Sequence, residues 1–163
     1  MELVNTQDGE KRRQGIVTRL GSRSEKPDGG EVVTTLKGQC LCRAVTYEVK
    51  DAFAYALNCH CSNCRRTTGS AFKPFAGITI DLIRVVEGAD RVLRFGGDDA
   101  HDLHCRTCGS LLYSVVRDGA YAHVALGTLL DAPAIRPSAH IFVGSKAPWY
   151  RITDDLPQHD EFG

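Results

Sequence analysis

Asn58-Cys59-His60-Cys61-Ser62-Asn63-Cys64-Arg65 packs three thiols into six consecutive residues, 59–64. Three is an odd number, so the Cys-x-Cys-x-x-Cys triplet cannot close on itself as disulfides. Thiolates this crowded repel one another unless a cation lies between them, and Zn²⁺ with sulfur ligands is the usual solution. Three protein ligands leave one corner of a tetrahedron free, which distinguishes a working zinc from a structural one. The rest of the chain then reads as a frame for Cys59, Cys61 and Cys64.

Four further cysteines stand in two pairs, Cys40 with Cys42 and Cys105 with Cys108. Alternate residues of a strand share a face, so each Cys-x-Cys is expected to show two sulfurs on one side. Cys105-Arg106-Thr107-Cys108-Gly109 has the spacing of a zinc knuckle, with Gly109 permitting the tight backbone after it. Four plus three is the natural partition. Cys40, Cys42, Cys105 and Cys108 would form a closed site joining an early strand to a late one, and the triplet an open site. In the alternative, the triplet is structural too, with another cysteine or His60, His101 or His104 as its fourth ligand. His60 and His104 each adjoin a cysteine and are expected to face away from it. Ordinary buried thiols fit one or two of these cysteines, not seven at such spacings.

A chain of 163 residues suits one domain with a proper core. Hydrophobic residues at 42% and charged residues at 25% are ordinary for a soluble protein. Twenty Lys and Arg balance twenty Asp and Glu. Zero net charge gives no electrostatic basis for a nucleic-acid or anionic-membrane partner. Seven thiolates on two zinc ions would add about three negative charges and make acidic polymers poorer partners still. Met1-Glu2-Leu3-Val4-Asn5-Thr6 lacks the pattern of a signal peptide, and no apolar run approaches the roughly 18 residues of a membrane span. Seven cysteines without an export signal favour reduced thiols and metal, hence the cytoplasm. The oligomeric state is left open.

Residues 1–31 are rich in charge, Gly and Ser, with the two charge signs nearly matched, and read as a flexible or peripheral extension. Residues 32–163 read as the zinc domain. Strands are expected at 32–36, 44–49, 53–58, 76–80, 91–95, 103–105, 111–116, 121–126 and 140–143. In the second of these Val45, Tyr47 and Val49 share a face. Arg117-Asp118-Gly119 supplies the positive φ angles of a tight hairpin. Residues 81–87 form the only short helix candidate, 65–69 a turn or single helical turn, and Trp149 a packing anchor. The fold class is mainly β, a single domain of small irregular antiparallel sheets built around zinc sites.

Three segments together resemble the glutathione-dependent formaldehyde-activating enzyme family: Gly38-Gln39-Cys40-Leu41-Cys42, then 59–65, then Cys105-Arg106-Thr107-Cys108-Gly109-Ser110. The close, His140-Ile141-Phe142-Val143-Gly144-Ser145-Lys146-Ala147-Pro148-Trp149-Tyr150, is similar too, and the resemblance spans about 36–157. The family shares its domain with centromere protein V and its fold is called Mss-four-like. The resemblance implies a structural zinc on Cys40, Cys42, Cys105 and Cys108 and a catalytic zinc on Cys59, Cys61 and Cys64, two per chain. It implies formation of S-(hydroxymethyl)glutathione from formaldehyde and glutathione, a carbon–sulfur lyase reaction run in reverse.

The residues agree on a thiol. Three thiolates give zinc a net charge of about minus one, which suits it less to making hydroxide than to taking a fourth soft ligand. Glutathione carries two carboxylates, and Arg65 and Arg66 follow Cys64 directly as candidate clamps, with Ser70 in the next loop. No residue stands out as a general base. The competing readings are a non-catalytic zinc-stabilised binding module and an enzyme for a different small thiol.

Overall fold

The structure is a computed structural model that describes residues 33–162. The expected extension, 1–31, lies outside the described residues. Two sheets make up the fold. The smaller is antiparallel, in the order β1 (Thr35–Gln39), β2 (Thr46–Lys50) and β5 (Ile83–Glu87). The larger has seven strands in the order β10 (His140–Ile141), β3 (Tyr55–Cys59), β4 (Lys73–Thr79), β9 (Tyr121–Ala125), β8 (Leu111–Val116), β7 (His101–Cys105) and β6 (Val92–Gly96). All its pairings are antiparallel except β10 with β3. The chain is mainly β, as the strand pattern predicts.

Alternation explains the small sheet. Leu36 of β1 and Tyr47 and Val49 of β2 are buried, while their neighbours face outwards. Below them lies a continuous core that includes Val45, Ile78, Ile83, Leu112, Val115, Ala122 and Val124, and with them Cys40 and Cys105. A second, smaller cluster holds Cys59, Phe75 and Ile141, flanked by Cys61, Cys64 and Phe142. The cysteines of the two expected sites thus belong to two different apolar bodies. β8 and β9 are joined by the expected tight turn, with φ of 53° at Arg117, 54° at Asp118 and 84° at Gly119.

Gly38 pairs with Tyr47 across the small sheet, and a Cβ placed there would sit inside the Tyr47 ring. That ring is fully buried and its hydroxyl lies 2.8 Å from Thr128 Oγ1, so it has no room to retreat. Gly38→Ala should therefore cost about 1–3 kcal/mol of stability through overpacking. An unchanged urea midpoint in the variant would show that the ring moves aside freely.

Three expectations need correction. Residues 81–87 are not helical: Ile80–Leu82 makes one 3₁₀ turn and Ile83–Glu87 is β5, paired with β2. The β-branched run Ile83, Val85 and Val86 prefers a pleated surface, and pairing with β2 satisfies its backbone. The α-helix among the described residues is α1 (Ser62–Thr68), which begins inside the triplet and ends at Gly69 with φ 63°. Trp149 is no packing anchor, being 73% exposed. Its neighbour Tyr150 packs instead, with ring centroids 5.6 Å from Phe72 and 5.9 Å from His60. Among the described residues no helix is long and apolar enough to cross a membrane.

Candidate functional site

All seven cysteines are free thiols, gathered into two groups. Cys40 and Cys42 lie in the turn between β1 and β2, not on a strand, so the turn and not strand alternation brings their sulfurs together. The turn closes through Arg43 N–H to the Cys40 carbonyl at 3.0 Å, with Arg43 itself at φ 65°. Cys105 ends β7, and Cys108 follows in a turn whose Gly109 N–H donates to the Cys105 carbonyl at 2.8 Å. Sulfur separations are 3.6 Å for Cys40 to Cys42 and 3.7 Å for Cys42 to Cys105. Zn–S bonds of about 2.3 Å in a tetrahedron place sulfurs about 3.8 Å apart, so this group fits zinc closely. A hydrogen bond with the Ser110 hydroxyl, 3.2 Å away, is the first cause holding the Cys108 thiol down to about 5. Ser110 also accepts from Leu41 N–H at 3.1 Å, which ties the two turns together.

The triplet is assembled by a strand end and a helix start. Cys59 is the last residue of β3, and Cys61 is the N-cap of α1, accepting from Cys64 N–H at 3.4 Å. That cap folds Cys64 back over Cys61, and the three sulfurs come within 4.8 Å of one another. Here too strand alternation does not gather the sulfurs: β3 has already ended before Cys61. Cys59 and Cys64 share a hydrogen, which pulls the Cys59 thiol below its ordinary value and pushes that of Cys64 up, with burial adding to the second. Of these two thiols, Cys59 is the one that gives up its proton more readily.

Beside the triplet lies a cavity of about 260 Å³. Its walls carry Lys73, Asp102, Ser114 and His123 along with the apolar Phe75, Ile141 and Phe142. Lys73 Nζ lies 3.0 Å from Ser114 Oγ, and Thr67 of α1 donates to Asp102 of β7 at 3.1 Å. His123 stacks on Phe75, ring centroids 4.1 Å apart, and meets the Tyr55 hydroxyl at 2.8 Å. Burial, reinforced by the charges of Lys73 and Arg117, pulls His123 down to about 3, so its ring is neutral near pH 7.

That depression has a consequence for stability. Between the ordinary value near 6.5 and 3, the unfolded chain binds a proton at His123 that the folded chain refuses. Stability is complete above that window and falls as pH drops through it, by roughly 1.4 kcal/mol per pH unit for this group. Urea unfolding of His123→Gln between pH 7 and 4.5 should lose about one proton's worth of slope relative to wild type. Equal slopes would mean that the histidine is not buried in its neutral form.

Residues 35–145 match the family described as glutathione-dependent formaldehyde-activating enzyme. The chain belongs to that family. A crystal structure of a Rhodobacter sphaeroides protein from a structural genomics programme is similar, with 34% identity and a TM-score of 0.51, covering 61% of this chain and 92% of that one. No curated protein matches the chain. What this member of the formaldehyde-activating family shares with the description is an enzyme-like framework, glutathione-related, with two cysteine groups that could hold zinc.

Within this family member, no fourth Cys, His, Asp or Glu joins the triplet among the described residues. His60 is turned away, its Nε2 2.8 Å from His140 Nδ1, while His140 Nε2 lies 3.1 Å from both oxygens of Asp154. An ionised Asp154 only accepts, so His140 donates to it and accepts from His60. His60 Nδ1 is left as a buried acceptor without a partner. Burial first, then competition with His140 for a proton and the charges of Lys146 and Arg65, bring His60 down to about 4. His104 is occupied with the Gly109 carbonyl at 3.1 Å and Thr67 at 3.4 Å. His101 lies on β7, facing a neighbouring groove.

None of the three residues expected to meet glutathione lines the triplet cavity. Arg66 lines that neighbouring groove with His101 and Phe95. Arg65 instead donates to the His60 carbonyl at 3.2 Å, and Ser70 Oγ is engaged with Thr68 and the Phe72 carbonyl. Lys73, Asp102, Ser114 and His123, which do line the cavity, are not among the residues expected from the sequence. One signal was present: Lys73 is the single charged residue between Ser70 and Ile80.

Proposed function

We propose that the triplet pocket adds a glutathione-type thiol to formaldehyde, forming S-(hydroxymethyl)glutathione, a carbon–sulfur lyase reaction in the synthetic direction. In this reading Cys59, Cys61 and Cys64 hold a catalytic zinc, and Cys40, Cys42, Cys105 and Cys108 a structural one. The observation that carries it is a three-sulfur group without a fourth ligand among the described residues, open to a cavity. Zinc there supplies a corner that prefers sulfur and lowers the pKa of a thiol.

The chain's own residues divide the remaining work. The cavity has room for a thiol end and a one-carbon aldehyde, and Phe75, Ile141 and Phe142 give it an apolar wall. A tripeptide needs more space. The adjoining groove, of about 640 Å³, shares Asn63, Thr67, Asp102, Ser114 and Val116 with the cavity, so a bound molecule can occupy both. Arg66, which lines the groove, would take a glutathione carboxylate by the charge-assisted pairing that favours arginine. Arg65 acts at one remove, holding the His60 carbonyl between two of the triplet cysteines. Reduced thiols are essential throughout, which suits the cytoplasm.

Exchange NMR of formaldehyde with glutathione tests the reading. The zinc-loaded protein should raise the exchange rate above that of buffer and carry two zinc ions per chain, one of them lost first to a mild chelator. A rate equal to buffer would remove formaldehyde, and one tightly held ion per chain would favour a binding module.

A further inference from the structure

Lys73 has no place in the chemistry assigned so far. It is 4% exposed and the only lysine buried among the described residues. It opens β4 directly across from Cys59, and Ser114, its hydrogen-bond partner, stands on the same cavity wall. An ammonium has three N–H donors. Ser114 takes one, and the face of Phe75 lies 5.6 Å from Nζ. No carboxylate among the described residues comes within 4.0 Å of it, although Asp102 lines the same cavity. A cation buried beside one hydroxyl and one ring is costly unless an anion completes the site.

The triplet lies close by: Cys59 stands directly across the sheet from Lys73, and Cys59, Cys61 and Cys64 line the same cavity. Sulfur is a poor partner for directed N–H donors, however, and among the described residues two of the three have no other partner. An oxygen atom would use them.

We propose that Lys73 forms an oxyanion site in the triplet pocket, taking a negatively charged oxygen within one or two atoms of a bound thiol sulfur. Its part in turnover rests on the thiol-addition reading given above; the anion site itself does not. In that addition the thiolate sulfur bonds to the carbonyl carbon and the C=O π pair moves onto oxygen. The resulting alkoxide lies one carbon from sulfur, where the free N–H donors of Lys73 hold it until solvent delivers a proton and completes the hydroxymethyl group. Ser114 is a positioning residue, fixing Nζ through the hydroxyl. A donor aimed at such an oxygen is worth about 10²–10³ in kcat.

The test is a pair of small thiols, mercaptoacetate and 2-mercaptoethanol, titrated calorimetrically into the zinc-loaded full chain. Without a cation in the pocket, a carboxylate beside three thiolates should be repelled. Wild type should instead prefer mercaptoacetate by about tenfold, roughly 1.4 kcal/mol. Lys73→Met, which keeps the volume, should abolish that preference while leaving 2-mercaptoethanol binding and zinc content intact. Lys73→Gln retains a contact for Ser114 without the charge and carries the same test if the methionine variant fails to fold. Lys73→Arg should restore part of the preference. No preference in wild type, or one that survives in an uncharged variant, overturns the proposal. Exchange NMR on the same proteins separates the two readings. A mercaptoacetate preference without formaldehyde exchange keeps the anion site and removes the aldehyde; exchange without the preference removes the role of Lys73.

Discussion

Cys61→Ser should return the formaldehyde–glutathione exchange rate to that of buffer, a loss of about 10³-fold or more in any protein-dependent rate, while the protein stays folded. The two halves of this result have separate causes. Cys61 is the N-cap of α1, its sulfur accepting from Cys64 N–H. Serine is among the best N-cap residues, so the substitution keeps the start of the helix in place. A hydroxyl is a poor substitute for thiolate as a zinc ligand, and groups that act as one unit fail together when any member is removed. The variant should thus lose the triplet metal and the rate, with a shift in the urea midpoint worth no more than about 1 kcal/mol. Full activity with two zinc ions bound would show that Cys61 is not a ligand.

Cys108→Ser should have the opposite profile: little folded protein to assay. Its sulfur belongs to the closed group, two members of which, Cys40 and Cys105, are buried in the main core. Binding free energy at closed structural zinc sites is folding free energy, of order 10 kcal/mol, comparable to the whole stability of a domain. Losing one of four thiolates also leaves the others crowded without a matching cation. Soluble yield and circular dichroism after expression in zinc-rich medium check it. If Cys61→Ser and Cys108→Ser lose yield equally, the division between a structural and a working site fails.

The seven cysteines were legible because metal spacing survives any uncertainty about the backbone between them. Both groups form as partitioned, Cys40, Cys42, Cys105 and Cys108 in one and Cys59, Cys61 and Cys64 in the other. Strands with one buried face, such as Thr46–Lys50, were legible through alternation. What escaped were features whose signals are not periodic. Helix α1 buries none of its residues, so no apolar stripe announces it; its sulfur cap and Gly69 do the work instead. Residues 81–87 mimic a short helix because Ile83–Glu87 shows only a weak inward face. The pocket was illegible for a different reason. Lys73, Ser114 and His123 come from three strands that are neighbours only in the folded sheet, and no local pattern can announce that convergence.

The two cysteine groups differ also in when they can exist. Cys59, Cys61 and Cys64 span one strand end and one helical cap, so a chain emerging from the ribosome presents all three sulfurs as soon as α1 has formed. Cys42 and Cys105 stand 63 residues apart, and closing that distance waits on most of the large sheet. If both groups take zinc as proposed, metal supplied during synthesis would meet the triplet first and the four-cysteine group last. The order in which the sulfurs come together, and not only their affinity, would then bear on which site a growing chain fills first.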